Sequence, residues 1–134
     1  MANGRTRQET SRLVLRYWLP VLAYVSVIFI LSAQPHLKPP LHFQNSDKLM
    51  HLLEYGGFGL LLARAVRATL PQHAFLVTSL LTLALGMAIG AGDERFQALI
   101  PGRECSLLDW FADSTGLTFA QLVYVTFAKD GTGG

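Results

Sequence analysis

Between Arg16 and Lys38 the chain runs for 21 residues, Tyr17 to Leu37, without a charged side chain. Roughly 20 predominantly apolar residues suffice to carry an α-helix across the hydrocarbon core of a bilayer, so this run reads as a membrane span. A second uncharged run, 25 residues from Ala68 to Gly92, is broken at Leu70-Pro71 and then reads as one helix. Two further segments have the same length. Leu49 to Val66 carries His51 and Glu54, and Leu107 to Ala128 carries Asp109 and Asp113, with the acidic residues confined to the N-terminal third of each. The pattern predicts an all-α membrane protein, a single domain over 1–134 with four transmembrane helices at about 14–34, 48–66, 73–93 and 106–128. Re-entrant or interfacial placement of the second and fourth segments is the alternative. Composition agrees, since only 15% of the residues are charged against roughly 25% in a soluble domain.

Four arginines, Arg5, Arg7, Arg12 and Arg16, precede the first span, as in a signal peptide. The apolar run is too long for one, however, and Leu31 is too large for the position three residues before a cut after Ala33. An uncleaved helix is expected, with Pro20 near its start, where a missing backbone donor costs least, and with the first dozen residues and the tail from Asp130 unanchored. Arg64, Arg67 and Lys129 fall on the same side as the N-terminal arginines, whereas Lys38, Lys48, Arg95 and Arg103 fall on the other. The positive-inside rule then predicts both termini in the cytoplasm of a multi-pass inner (cytoplasmic) membrane protein. A net charge of +2 without a basic run excludes a nucleic-acid partner. The single cysteine, Cys105, excludes an intramolecular disulfide and a cysteine-based zinc site.

Lipid tails are as apolar as leucine, so helices in a membrane associate largely through close backbone approach. Gly86 and Gly90 form a GxxxG pair, Gly59 with Ala63 and Gly116 with Ala120 repeat the spacing, and Gly56-Gly57 adds a flat patch. This pattern leaves two readings open, packing within the chain and a homo-oligomer through the glycine-rich faces.

The polar residues are grouped. Asp47, His51 and Tyr55 stand at i, i+4 and i+8, with Glu54 beside them, on one helical stripe. Ser106, Asp109, Asp113 and Gly116 follow steps of three and four, and Asp93, Glu94 and Gln97 precede the turn Pro101-Gly102-Arg103. The topology brings all three groups to one membrane depth. An ionisable group there costs on the order of 2.5–3.5 kcal/mol on insertion scales, so such groups face one another or a water-filled cavity. Two readings follow. Lys48, His51, Arg95 and Arg103 clasp the loops by neutralising Asp47, Asp93, Glu94, Asp109 and Asp113, or the set forms a binding site.

Asp109 with Asp113, or Asp93 with Glu94, are the residue types for paired acid–base work or for a hard cation, with His51 as a nitrogen ligand. Yet there is no HExxH, GxSxG or Walker motif, and no metal, cofactor or covalent catalysis is expected. His36, His42 and His73 are isolated. Tyr17, Trp18 and Trp110 sit at predicted span ends, where aromatic rings anchor at the headgroup level.

Four segments, IFILSAQP (28–35), SDKLMHLLEYGGFG (46–59), DERFQALIPGR (93–103) and SLLDWFADSTG (106–116), occur in this order, and with them the chain resembles the VanZ-like family of small bacterial membrane proteins, named for a member linked to teicoplanin resistance. The residues that match the family's motifs are Asp47, Lys48, His51, Tyr55, Asp93, Glu94, Gln97, Pro101, Arg103, Ser106, Asp109 and Gly116. Asp113 stands where the family commonly has asparagine, and Ala120 where it commonly has a second glycine. The resemblance implies a role at the cell envelope and supplies no reaction.

The expected ligand-binding residues are therefore Asp47, Lys48, His51, Tyr55, Asp93, Glu94, Gln97, Arg103, Ser106, Asp109 and Asp113. The expected partner is an amphiphile of the envelope: a lipid headgroup, a lipid-linked cell-wall precursor or a lipoglycopeptide such as teicoplanin. A membrane enzyme acting on an envelope lipid through the same carboxylates and His51 is the first alternative. A scaffold for another membrane protein is the second.

Overall fold

The computed structural model describes residues 6–35 and 44–130. Arg5, His36, Leu37, Lys38, His42 and the tail 131–134 lie outside them. The described residues form four helices and no strand: α1 (Arg7–Ser32), α2 (Ser46–Thr69), α3 (Phe75–Gln97) and α4 (Leu107–Asp130). Among them α1, α2 and α3 are long and apolar enough to cross a membrane. Helix α4 has the length, 24 residues, but Asp109, Asp113 and Gln121 lower its hydropathy.

Helix α1 begins well before the predicted residue 14. Thr6 caps it in a reciprocal box: Glu9 N–H donates to Thr6 Oγ1 (3.3 Å) and Thr6 N–H donates to Glu9 Oε2 (2.9 Å). The Thr6-x-x-Glu9 pattern is a start signal readable in the sequence, and with it the segment expected to be unanchored is helical from Arg7. Pro20 therefore sits inside the helix, not at its start. A proline there cannot donate to the carbonyl four residues back, and its ring crowds that carbonyl. The helix answers with a wide π-type turn over Val14–Trp18, in which Leu19 N–H reaches back five residues to Val14 C=O.

Helix α2 stops at Thr69, one residue short of Leu70-Pro71, because the residue before a proline is pushed out of the helical region. The Arg67 guanidinium closes the short connection to α3 by donating to the His73 carbonyl. At the far end of α3 the chain turns through Pro101 and Gly102, whose φ of 81° is in the left-handed region that favours glycine. Ser106 then caps α4, its Oγ accepting from Asp109 N–H at 3.3 Å.

Helix α2 is the centre of the bundle. Tyr55, Phe58, Leu62, Ala65 and Val66 form a core with Val21 and Ile28 of α1 and Leu117 of α4, and the most extensive contact is between α2 and α4. Their backbones meet where the small residues lie. A methyl group built on Gly116 would stand 2.2 Å from the Leu52 carbonyl oxygen and 3.0 Å from Gly56 N, and one on Gly59 would stand 2.9 Å from Ala120 Cβ. Gly86 faces Leu117 of α4, and Gly90 faces Tyr55, Trp110 and Asp113. The glycine-rich faces are thus occupied by helices of the same chain, in accord with the first of the two packing readings.

Radial polarity is inverted relative to a soluble protein. Leu15, Leu22 and Ile30 of α1, Leu76 and Leu80 of α3 and Phe119, Leu122 and Phe127 of α4 are all exposed, while Ser32, Thr78, Thr82, Asp93, Glu94, Gln97, Asp113 and Gln121 are buried. An exposed apolar surface of this extent aggregates in water and is at rest in hydrocarbon. The chain has the build of a membrane protein.

Candidate functional site

The two ends of the bundle differ in charge. At one end, Arg16 and Arg64 lie 5.7 and 5.0 Å from the ring centre of Tyr17, and Arg67 lies 4.1 Å from that of Phe75. Trp18 Nε1–H donates to Thr69 Oγ1 at 2.9 Å beside them. At the other end, the first turns of α2, the last turns of α3 and the first turns of α4 converge with Ser32 at the end of α1. All eleven sequence-predicted site residues are there, joined into two chains of contacts and a bridge.

The first chain links α2 to α4. Lys48 Nζ donates to Asp47 Oδ2 and to Asp109 Oδ1, each at 2.8 Å. His51 Nε2 lies 3.9 Å from Asp109 Oδ2, and its Nδ1 lies 2.9 Å from Asp113 Oδ1. A spacing of three on α2 and of four on α4 makes this ladder: Lys48 and His51 share a face of α2, Asp109 and Asp113 a face of α4. Burial deepens along it, from a half-exposed Asp47 to an Asp113 with 0% exposure.

The second chain links α1, α2 and α3. Tyr55 O–H donates to Asp93 Oδ2 at 3.4 Å, and Gln97 Nε2 donates to the same oxygen at 3.2 Å and to Ser32 Oγ at 3.3 Å. Arg103 Nη2 donates to Gln97 Oε1 at 2.7 Å. These contacts depend on α3 continuing as helix through Gln97, four residues past its predicted end. Asp93 and Gln97 then stand one above the other on the buried face. Glu94 supplies the bridge to α4: its Oε2 accepts from Ser106 N–H at 2.8 Å, a carboxylate on the positive end of the α4 dipole.

The clasp reading is met in part. Lys48 does neutralise carboxylates, and His51 holds one through Nδ1. Among the described residues, however, Arg95 and Arg103 make no ion pair within 4 Å; Arg95 is exposed, and Arg103 uses the amide of Gln97 instead of a carboxylate. Trp110, expected at the headgroup level, turns inward, its Nε1–H donating to the Met87 carbonyl of α3 at 3.0 Å.

Ser32 belongs to the site and was not expected there. Its serine in the IFILSAQP segment, a polar residue ending an apolar run, was the available signal. Glu54 lies within electrostatic reach of His51, Asp93, Asp113 and Arg103, and its main-chain carbonyl accepts from Tyr24 O–H at 3.0 Å. Deeper in the bundle Gln121 Nε2 donates to Ser79 Oγ at 2.9 Å, a cross-helix bond with no signature in the local sequence.

Three carboxylate oxygens at this end, Asp93 Oδ1, Glu94 Oε1 and Asp113 Oδ2, are buried without a hydrogen-bond partner among the described residues. A buried acceptor without a partner forfeits about 1–3 kcal/mol, more when charged. The third lies over Gly90, where a side chain would begin 3.5 Å from it. His51, Glu94 and Asp109 also present one donor atom each within 4.8 Å of one another, a combination of residues no sequence spacing could show. An apolar groove of 350 Å³ lined by Phe111, Ser114, Thr115, Thr118, Phe119 and Leu122 runs along α4. It lies on a different face of that helix from Asp109 and Asp113, apart from the polar end.

No family model, no curated protein and no solved structure matches the chain.

Proposed function

We propose that the protein is a VanZ-like, four-span protein of the cytoplasmic membrane that binds the headgroup of an amphiphilic envelope ligand at its polar end. The observation that carries this reading is the set of buried, unpartnered carboxylate oxygens on Asp93, Glu94 and Asp113 at the mouth of a bundle whose exterior is apolar. Among the described residues at this end, the carboxylates of Asp47, Glu54, Asp93, Glu94, Asp109 and Asp113 outnumber the cationic groups of Lys48, Arg95 and Arg103. The ligand they favour is therefore rich in donors, with hydroxyl, amide or ammonium groups, as in the sugar and peptide portions of a lipid-linked cell-wall precursor or a lipoglycopeptide. Its acyl part remains in the lipid that surrounds α1, α3 and α4. With Lys129 and the arginines of the opposite end held in the cytoplasm, this polar end faces outward.

The test is binding of fluorescently labelled teicoplanin and of a labelled lipid-linked muropeptide precursor to the detergent-purified protein, followed by polarisation. Asp93→Asn and Arg103→Gln should each weaken binding at least tenfold at unchanged unfolding temperature. Failure of both probes to bind, or equal binding by both variants, refutes the reading. The second reading, a membrane enzyme acting on an envelope lipid, is favoured by the His51–Asp113 pair, which leaves Nε2 disposed as a general base. Appearance of a new lipid species in reconstituted vesicles, lost in His51→Gln, distinguishes it from binding alone.

A further inference from the structure

We infer that His51, Glu94 and Asp109 form a binding site for one divalent cation of the zinc class. The inference concerns the metal itself and stands whether or not a headgroup binds nearby.

Each of the three side chains has one polar atom engaged by a neighbour and one to spare. His51 is held through Nδ1 by Asp113 Oδ1 at 2.9 Å, and its Nε2 points toward Asp109 Oδ2, 3.9 Å away. Asp109 is held through Oδ1 by Lys48 at 2.8 Å. Glu94 is held through Oε2 by the Ser106 N–H at 2.8 Å, while its Oε1 is buried and has no partner among the described residues. Metal sites are built in this way. An outer carboxylate on the far nitrogen of a histidine fixes the ring and its tautomer, and hydrogen bonds on the ligating carboxylates orient them. With Nδ1–H donating to Asp113, the lone pair of Nε2 is available to a cation.

Distance and charge agree. One donor atom from each of the three residues lies within 4.8 Å of the others, and coordination at about 2.0–2.2 Å to zinc requires the set to close by roughly 1 Å, within the reach of side-chain rotation. Glu94 is 3% exposed, and a carboxylate that deep is costly unless paired. A divalent cation answers two carboxylates and a neutral imidazole with no residual charge. One nitrogen and two oxygens suit zinc better than magnesium or calcium, which take oxygen ligands alone. Three protein donors leave a fourth position for water or a ligand oxygen.

The experiment is zinc titration of chelator-treated wild-type protein in detergent, in competition with a chromophoric chelator and beside a magnesium titration, with X-ray absorption at the zinc edge. The expected result is one zinc per chain with a single imidazole among oxygen ligands and no sulfur. Affinity should fall at least tenfold in Glu94→Gln. Asp113→Asn, which keeps an acceptor for His51 but removes its charge, should lower it about 10–100-fold. Folding of each variant is followed by its unfolding temperature in the metal-free state. Should His51→Gln or Glu94→Gln not fold, the wild-type stoichiometry and absorption spectrum still decide. No zinc bound above the level of a control protein, a sulfur scatterer from the exposed Cys105, magnesium binding as tight as zinc, or affinity unchanged in Glu94→Gln would each overturn the inference.

Discussion

Gly116 of α4 lies against the main chain of α2 so closely that its missing side chain would have begun 2.2 Å from the Leu52 carbonyl oxygen. This contact fixes the rotation of α4 about its own axis. One turn earlier Asp113 is thereby turned inward to His51, and one turn before that Asp109 meets Lys48. The ladder of contacts at the polar end is thus set by a backbone contact in the apolar part of the bundle.

Replacing Gly116 by alanine is expected to force α2 and α4 apart, because the obstructing atom is backbone and cannot swing away. The cost should be about 1–3 kcal/mol or more, with the polar ladder loosened alongside. Gly86→Ala meets the side chain of Leu117, its two methyls 2.7 and 2.8 Å and its Cγ 3.3 Å from the new carbon, atoms that can shift where the Leu52 carbonyl cannot, so its cost should be lower. Unfolding in a graded detergent–SDS series measures both, and equal midpoints for the two variants would contradict the distinction.

Gln97 joins Ser32, Asp93 and Arg103. Gln97→Ala removes an acceptor from Arg103 and a donor from the buried Asp93, and should destabilise the bundle by about 1–3 kcal/mol. Arg103→Gln, in contrast, removes a half-buried partner that water can replace, and should cost less than about 1 kcal/mol. A stability loss for Arg103→Gln as large as that for Gln97→Ala would mean that the guanidinium holds the bundle, as the clasp reading has it.

Ser106 begins α4 and receives no help from a following Glu at the third position. Ser106→Ala should cost roughly 1 kcal/mol through the lost cap, leaving the Glu94 bond to the Ser106 main-chain N–H in place. Hydrogen exchange should accelerate at the first turn of α4 and nowhere in α2. Acceleration across both helices would show the cap to be coupled to the whole bundle.

Cys105 is exposed in the connection between α3 and α4, at the end opposite the arginines around Tyr17. If both termini lie in the cytoplasm, as the distribution of basic residues predicts, a membrane-impermeant maleimide labels it in upright vesicles and not in inverted ones. Labelling confined to inverted vesicles would reverse the orientation and place the polar end inside the cell.

The helices themselves, their approximate lengths and the end to which the acids go were legible in the sequence. Each follows from transfer energies along a local stretch of chain: uncharged runs of membrane length for α1 and α3, and His51, Glu54, Asp109 and Asp113 in the first third of the segments read as α2 and α4. The Thr6 cap was equally local and could have been read from its spacing. The π-type turn before Pro20 depended on α1 starting at Arg7, so the misplaced start hid it.

Tertiary structure alone decided which group meets which. Lys48 and Asp109 are 61 positions apart, and nothing in either segment distinguishes that pairing from one between Lys48 and Asp113. The clasp reading gave Arg103 a carboxylate, but it meets the amide of Gln97, because α3 runs on for a further turn and carries that amide into the gap. The convergence of His51, Glu94 and Asp109 has the same origin. Hydropathy determines how far a helix is buried along the membrane normal, but its rotation about its own axis is set by shape, by where Gly56, Gly59 and Gly116 let two backbones touch. A change of one residue in that register turns a face by about 100°, enough to exchange every partner at the polar end while leaving the hydropathy of the chain unchanged.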